Sequence, residues 1–330
     1  MVNGRKRPLA VLLIASTAMT AATIKQEASL EAGRRAYEAS DYAKAVQALQ
    51  AAAAMDSQNA DVQLLLAKSY LELQQHDPAI KSAERAVAID AQNSIYHEWL
   101  GRAYGEKADH ASWFSAISLA KKTRREFETA VQLDARNFSA RQALIEFDCS
   151  APGIVGGGED RALPQIRQLA EMDAAEGHYA AGNCRRQKKD LAAAEEEFTK
   201  ALESNPKSAE LIYDIGDYAL KRSQAGRLLA VADAGERLAP GDARGKFYRG
   251  VALVLKKENP EEAERLLKGY AERAPTRSGY PRPATAHAWL GRLFEDQNKM
   301  EEAAQEFGSA LKLDPKNKMA QEALKRLRKN

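Results

Sequence analysis

One residue type recurs at a fixed interval along this chain, and the interval decides what it can fold into. Gly33, Ala67 and Gly101 lie 34 residues apart, and so do Gly182, Gly216 and Gly250. Ala45 and Ala79 repeat the same spacing, and Pro206, Pro240, Pro275 and Pro315 close successive segments. Such self-similarity is the signature of an array, in which each unit buries its apolar faces only against its neighbours. A glycine inside a helix costs about 1 kcal/mol relative to alanine, so its return at one register implies close packing. The surrounding residues are helix formers, and long β-branched or aromatic runs are lacking, which excludes a large sheet. With 45% hydrophobic residues in 330, the chain has the apolar material for an extended core.

The residues around these positions resemble the tetratricopeptide repeat family, whose unit reads W-x2-L-G-x2-Y, then A-x3-F-x2-A, then P. The fullest match is Trp289, Leu290, Gly291, Phe294, Ala303, Phe307, Ala310 and Pro315, followed by Trp99, Leu100, Gly101, Tyr104, Phe127 and Ala130. The resemblance implies an all-α fold, a TPR-type α-solenoid of about eight helix–turn–helix repeats with a C-terminal cap helix. The repeats start near residues 26, 60, 94, 138, 175, 209, 243 and 284, and the cap covers 318–329. Residues 23–330 form the solenoid on this reading.

The remaining 22 residues read as a signal peptide, 1–22. Arg5, Lys6 and Arg7 precede an apolar run over Leu9–Ala18 and then small residues, with cleavage expected after Ala18 or Ala22. The run is too short to span a bilayer, which takes roughly 20 residues. A periplasmic or secreted location is expected, with no stable membrane insertion of the mature chain. Removing the three N-terminal cations from 49 Lys+Arg leaves 46, against 46 Asp+Glu, so the body is neutral. A neutral body with mixed signs is not expected to bind nucleic acid.

The pattern departs from its own repeat in three places. The third unit carries about ten extra residues in Gly105–Lys122, and the fourth about five in Cys149–Asp160. Both are expected as loops on one edge, with Trp113 and Phe114 of the first loop packing over the glycines of the second. Pro164 is expected to delay the start of its helix. The stretch Ala274–Thr285, with three prolines and a glycine, is expected as a hinge or proteolytic site.

Catalytic and metal chemistry find little footing. Gly153–Gly158 lacks the Lys-Ser/Thr and the preceding strand of a phosphate loop. His76, His97, His110, His178 and His287 show no ligand spacing, and the equivalent places of His97 and His178 read as packing positions. No serine, histidine and acid stand in a nucleophile context. The chain is read as no enzyme, with no cofactor and no metal. Cys149 and Cys184 fall in adjacent helices and make either a bridge or two buried thiols.

The expected activity is binding of a peptide segment or partner protein in the concave groove that the first helices of such repeats line. Arg34, Lys68 and Arg102 each follow the small residue of their unit and would form a basic ladder about 10 Å apart, facing an acidic partner. The co-chaperone subgroup that clamps a carboxylate uses a Lys/Asn set; asparagine is missing from the first three units, so its ligand is not carried over. Tyr213 and Phe247, with Val251 and Val254, are expected on the groove of later units, as apolar anchors or as packing against the next helix. Trp113 and Phe114 are expected to make an edge contact outside the groove. The alternative is a structural subunit of an envelope assembly or secretion complex. Oligomeric state and the partner's identity are left open.

Overall fold

A computed structural model describes residues 25–275 and 279–327. The expected signal segment lies outside them. Among the described residues the regular structure is helical, without strands. Helices α1 (25–38) and α2 (Tyr42–Met55) form the first hairpin. Then follow α3 (Ala60–Glu72) with α4 (His76–Ile89), and α5 (Ser94–Asp109) with α6 (Trp113–Leu133). Next are α7 (Phe138–Ser150), a 3-10 turn (Gly153–Val155) and α8 (Glu159–Met172). The pairs α9 (Ala174–Gln187) with α10 (Leu191–Glu203), and α11 (Ala209–Lys221) with α12 (Ala225–Leu238), come after it. The last pairs are α13 (Ala243–Lys256) with α14 (Pro260–Arg273), and α15 (Pro283–Asp296) with α16 (Met300–Leu313); α17 (Lys318–Leu327) caps the series.

The chain divides into two compact units. The first runs to Phe147 and includes Ala151–Gly157; the second holds Asp148–Ser150 and everything from Gly158. Within each unit a helix packs on its sequence neighbours, and several also meet the helix two places on, as α3 meets α5 and α13 meets α15. That is the contact pattern of an α-solenoid.

The 34-residue register explains this packing. A Cβ on Gly101 would come within 2.6 Å of the Phe127 ring, and one on Gly182 or Gly291 equally close to Phe198 or Phe307. Each glycine thus admits an aromatic ring of its partner helix, and Phe198 and Phe307 are fully buried. The turns between hairpins also repeat. Asp56, Asp90, Asp134 and Asp314 each accept a hydrogen bond from the backbone N–H two residues on. Asn59, Asn93, Asn137 and Asn317, three residues after those aspartates, cap the next helix. This D-x-x-N turn stands four times in the sequence.

Three expectations about the irregular segments need correction. The insertion in the third unit is helical: α5 extends to 16 residues and α6 to 21, and Trp113 and Phe114 occupy the first turn of α6 instead of an edge loop. They do not cover the glycine loop. That loop lies against α6 through Arg124, whose side chain stands 3.0 Å from where a Cβ of Gly156 would be. Its glycines are required: Gly156 has φ +97°, and a Cβ on Gly157 would sit 2.0 Å from the Ala151 carbonyl. Pro164 does not delay α8, which begins at Glu159 and takes the proline inside, at the cost of one backbone bond.

The segment before α15 is tied down where it is described. Tyr270 donates to the Pro281 carbonyl (2.7 Å), and Arg244 reaches the Gly279 carbonyl (3.3 Å). The Arg244 guanidinium lies over the rings of Tyr213 (4.0 Å) and Tyr280 (4.4 Å) while Asp242 holds its other edge (2.6 Å). Cys149 and Cys184 form a disulfide, Cα atoms 5.4 Å apart, joining the last turn of α7 to α9.

Candidate functional site

In the first unit the register position after the small residue presents three cations, and the structure treats them differently. Arg34 is exposed and pairs only with Glu31, one turn back on its own helix (3.3 Å). Such a pair in open solvent is worth well under 1 kcal/mol and is easily exchanged. Lys68 and Arg102 are brought together by Trp99. The Lys68 ammonium sits 4.4 Å from the indole centroid and the Arg102 guanidinium 5.4 Å. Trp99 and Arg102 are three residues apart on α5 and share a face, while Lys68 reaches over from α3.

Arg102 is fixed from behind. Its Nε donates to Oε1 of the buried Glu98 (3.0 Å) and its Nη2 to Ser139 Oγ (3.0 Å), while Ser139 itself donates to the same Glu98 oxygen (2.6 Å). Lys68 is anchored by the indole alone and forms no carboxylate pair among the described residues. Burial pushes its ammonium below the ordinary lysine value, and Arg102 acts in the same direction against the opposing pull of Glu98 and Asp61. Asp61 is itself engaged, accepting from Tyr96 (2.9 Å). The result is a half-buried ammonium beside a guanidinium, both seated on an aromatic platform. Chemically this suits a carboxylate, which would bring the counter-charge that Lys68 lacks. Of the three expected rungs, Lys68 and Arg102 share the Trp99 ring, and Arg34 is paired on its own helix.

Tyr213 and Phe247 do not belong to any partner-binding surface. Both are buried, as are Val251 and Val254. Each aromatic stands three residues before its glycine, Gly216 or Gly250, so it shares the face that packs inward. Tyr213 stacks on Tyr248 (5.8 Å), and Phe247 meets Tyr270 (4.9 Å). Packing against neighbouring helices, the alternative held for them, is their role. Trp113 and Phe114 are exposed at 68% and 85%.

A second set of polar contacts recurs within hairpins. His97 pairs with Glu126 (2.7 Å), His178 with Glu197 (2.7 Å) and His287 with Glu306 (2.6 Å). In each case histidine stands four residues before the packing glycine, and glutamate directly precedes the phenylalanine that fills it. The ring contact sets the helix spacing, and the neighbouring carboxylate then reaches the imidazole. His97 has acceptors at both nitrogens, Glu126 at Nδ1 and the Ala91 carbonyl at Nε2 (3.1 Å). The protonated imidazole can donate to both, and the bond to Glu126, with burial opposing, raises the His97 pKa above its usual value. These pairs join helices, and among the described residues no group of three or more metal-type side chains gathers.

Family models described as tetratricopeptide repeat match residues 36–102 with one model, and 157–209 and 254–318 with another. The chain carries tetratricopeptide repeats. Its fold matches that of yeast Tom70 with a TM-score of 0.56 at 15% identity, covering 92% of this chain and 63% of that one. It also resembles the APC/C Cut9–Hcn1 hetero-tetramer (TM-score 0.47, 15% identity, 87% and 52% coverage). A tetratricopeptide repeat protein from Parabacteroides merdae aligns over 93% of this chain and 99% of its own, with TM-score 0.44 and 16% identity. No curated protein matched. Within these repeats Trp99 and Gly101 are the tryptophan and glycine of the repeat pattern, and Lys68, Arg102, Glu98 and Ser139 fall at positions that the pattern leaves open.

Proposed function

We propose that this tetratricopeptide repeat protein is a non-enzymatic binding scaffold whose first unit receives an acidic segment of a partner protein. The observation that carries the reading is Lys68: a half-buried ammonium seated on Trp99 beside Arg102, with no carboxylate of its own. Desolvation strengthens a charge contact made there relative to one made in open water. Glu98 and Ser139 hold Arg102 in place before any ligand arrives, which lowers the ordering cost of binding.

Export to the periplasm or an equivalent envelope compartment belongs to the same proposal. Arg5–Arg7 followed by the apolar Leu9–Ala18 supports it, and so does a disulfide, a bond that persists in oxidising surroundings. N-terminal sequencing of chain recovered from a periplasmic extract tests this part: a start at residue 19 or 23 is expected, and an intact Met1 contradicts it.

Binding is tested by titrating a fluorescent acidic peptide at low and high salt. Affinity should fall about tenfold or more between 50 and 300 mM salt. Lys68→Ala should give the same loss at low salt. Arg102 is left intact in that variant, because its removal strands the buried Glu98. Salt-independent binding, or a variant that binds as well as the parent, contradicts the proposal.

A further inference from the structure

The α6 helix has one feature that its packing role does not use. It spans 21 residues, whereas among the described residues no other helix exceeds 16. Its lower half packs on α5 through Thr123 and Phe127. Its upper end starts with the two most exposed large hydrophobic side chains described, Trp113 at 68% and Phe114 at 85%. No acidic residue stands in its first turn. Residues 113–125 hold Lys121, Lys122, Arg124 and Arg125 and no acid at all.

The arrangement along the helix is directional. Phe114, Ser118, Lys121, Lys122 and Arg125 are all exposed and follow helical spacing along one side. Lys121 lies about 10 Å behind Phe114 along the axis, at 1.5 Å per residue. Arg124 is turned aside, against Glu128 and the glycine loop, and Lys122 leans over Tyr104 (5.0 Å). Asp109, four residues before the helix, is the nearest acid in sequence on that side.

We propose that the N-terminal end of α6 is a peripheral attachment site for an anionic lipid surface. Trp113 and Phe114 would enter the boundary between headgroups and acyl chains, Lys121 and Lys122 would meet the phosphates about 10 Å above them, and Arg125, about one turn further, would add to the attraction. A projecting pair favours a bilayer over a protein partner. Aromatic anchors of protein interfaces sit at the centre of packed, water-excluding patches, whereas Phe114 stands 85% exposed. A fluid interface closes around a protruding ring without a preformed pocket, and tryptophan suits that boundary through its apolar body and its N–H. This site stands apart from the Lys68 face and does not depend on the acidic-segment reading.

The test uses the full chain, as recovered from cells, and sedimentation with vesicles of phosphatidylcholine alone or with 30% phosphatidylglycerol. Binding is expected to the anionic vesicles at 50 mM salt and to be far weaker to the neutral ones. Trp113→Ala and Phe114→Ala should each weaken it about tenfold, given what burying such a side chain contributes. Lys121→Gln and Lys122→Gln should each cost about fivefold. Trp113→Phe should retain binding while losing the blue shift of tryptophan emission. Ile95→Ala, at the opposite end of α5, removes another exposed apolar group and should change nothing. The proposal is overturned if the chain ignores anionic vesicles or binds neutral ones equally. It is also overturned if the Trp113→Ala, Phe114→Ala double variant binds like the parent, since another segment then makes the attachment. A soluble protein captured through Trp113 and Phe114, with no vesicle binding, overturns it as well.

Discussion

The same helical register carries opposite contents in the two units. After the small residue the first unit places Arg34, Lys68 and Arg102; the second places Asn183, Asp217, Val251 and Arg292. In the second unit Asp217 and Val251 are taken up by internal contacts, since Tyr248 donates to Asp217 (2.7 Å) and Val251 is buried, while Arg292 pairs with Asp296 one turn on (3.2 Å). In the first unit Lys68 keeps an ammonium that no carboxylate neutralises. The small residue and its facing ring build the hairpin, and the next position is free to be spent on stability or on a ligand. The second unit takes the first course at Asp217 and Val251, and the proposed function assigns the first unit the second.

The largest effect that would sharpen this contrast is expected at Phe247. Phe247→Ala should cost about 3–5 kcal/mol in denaturant unfolding, while acidic-peptide affinity under folding conditions stays at the parent value. Trp99→Ala, on a half-buried platform, should do the reverse, sparing most of the stability and lowering affinity. If Phe247→Ala abolishes peptide binding in a folded protein, the division of labour is wrong.

The disulfide comes next. It closes 35 residues of sequence separation within the second unit, and the first contains no cysteine. Reduction should destabilise α7–α9 by about 2–4 kcal/mol. Hydrogen exchange should show faster exchange there and unchanged protection in α3 and α4. Equal loosening of both regions would show that the two units do not unfold separately.

The smallest effect is a pH slope in the first unit. His97 has a raised folded pKa, so its contribution is fully present below the ordinary histidine value near 6.5 and is lost as pH rises through the folded value. Stability should fall between pH 6 and 8 by on the order of 1 kcal/mol, the scale of a net hydrogen bond to a charged group. His97→Gln should flatten that slope. A slope that survives the substitution belongs to another group.

The paired-helix architecture was legible because it is written in residues with one physical option: a glycine facing a phenylalanine at fixed spacing serves close helix packing and little else. The D-x-x-N turns show in the sequence only when the four are aligned, since each alone is just two polar residues. The histidine–glutamate pairs needed both helices in view at once. Tyr213 and Phe247 were placed on the groove because helical periodicity gives a stripe without saying which neighbour covers it; counting three residues back from the glycine would have turned them inward. Trp113 and Phe114 read as loop because extra residues break the repeat count, and local helix propensity was not weighed against it. The partnership of Lys68 with Trp99 spans two helices and could not be read from either.

Hydrogen exchange of the full chain with and without an acidic peptide tests the central claim most directly. Protection gained in α3 and α5, around Lys68 and Arg102, is the predicted result. Protection confined to α9, α11 or α13, with α3 and α5 unchanged, would contradict it.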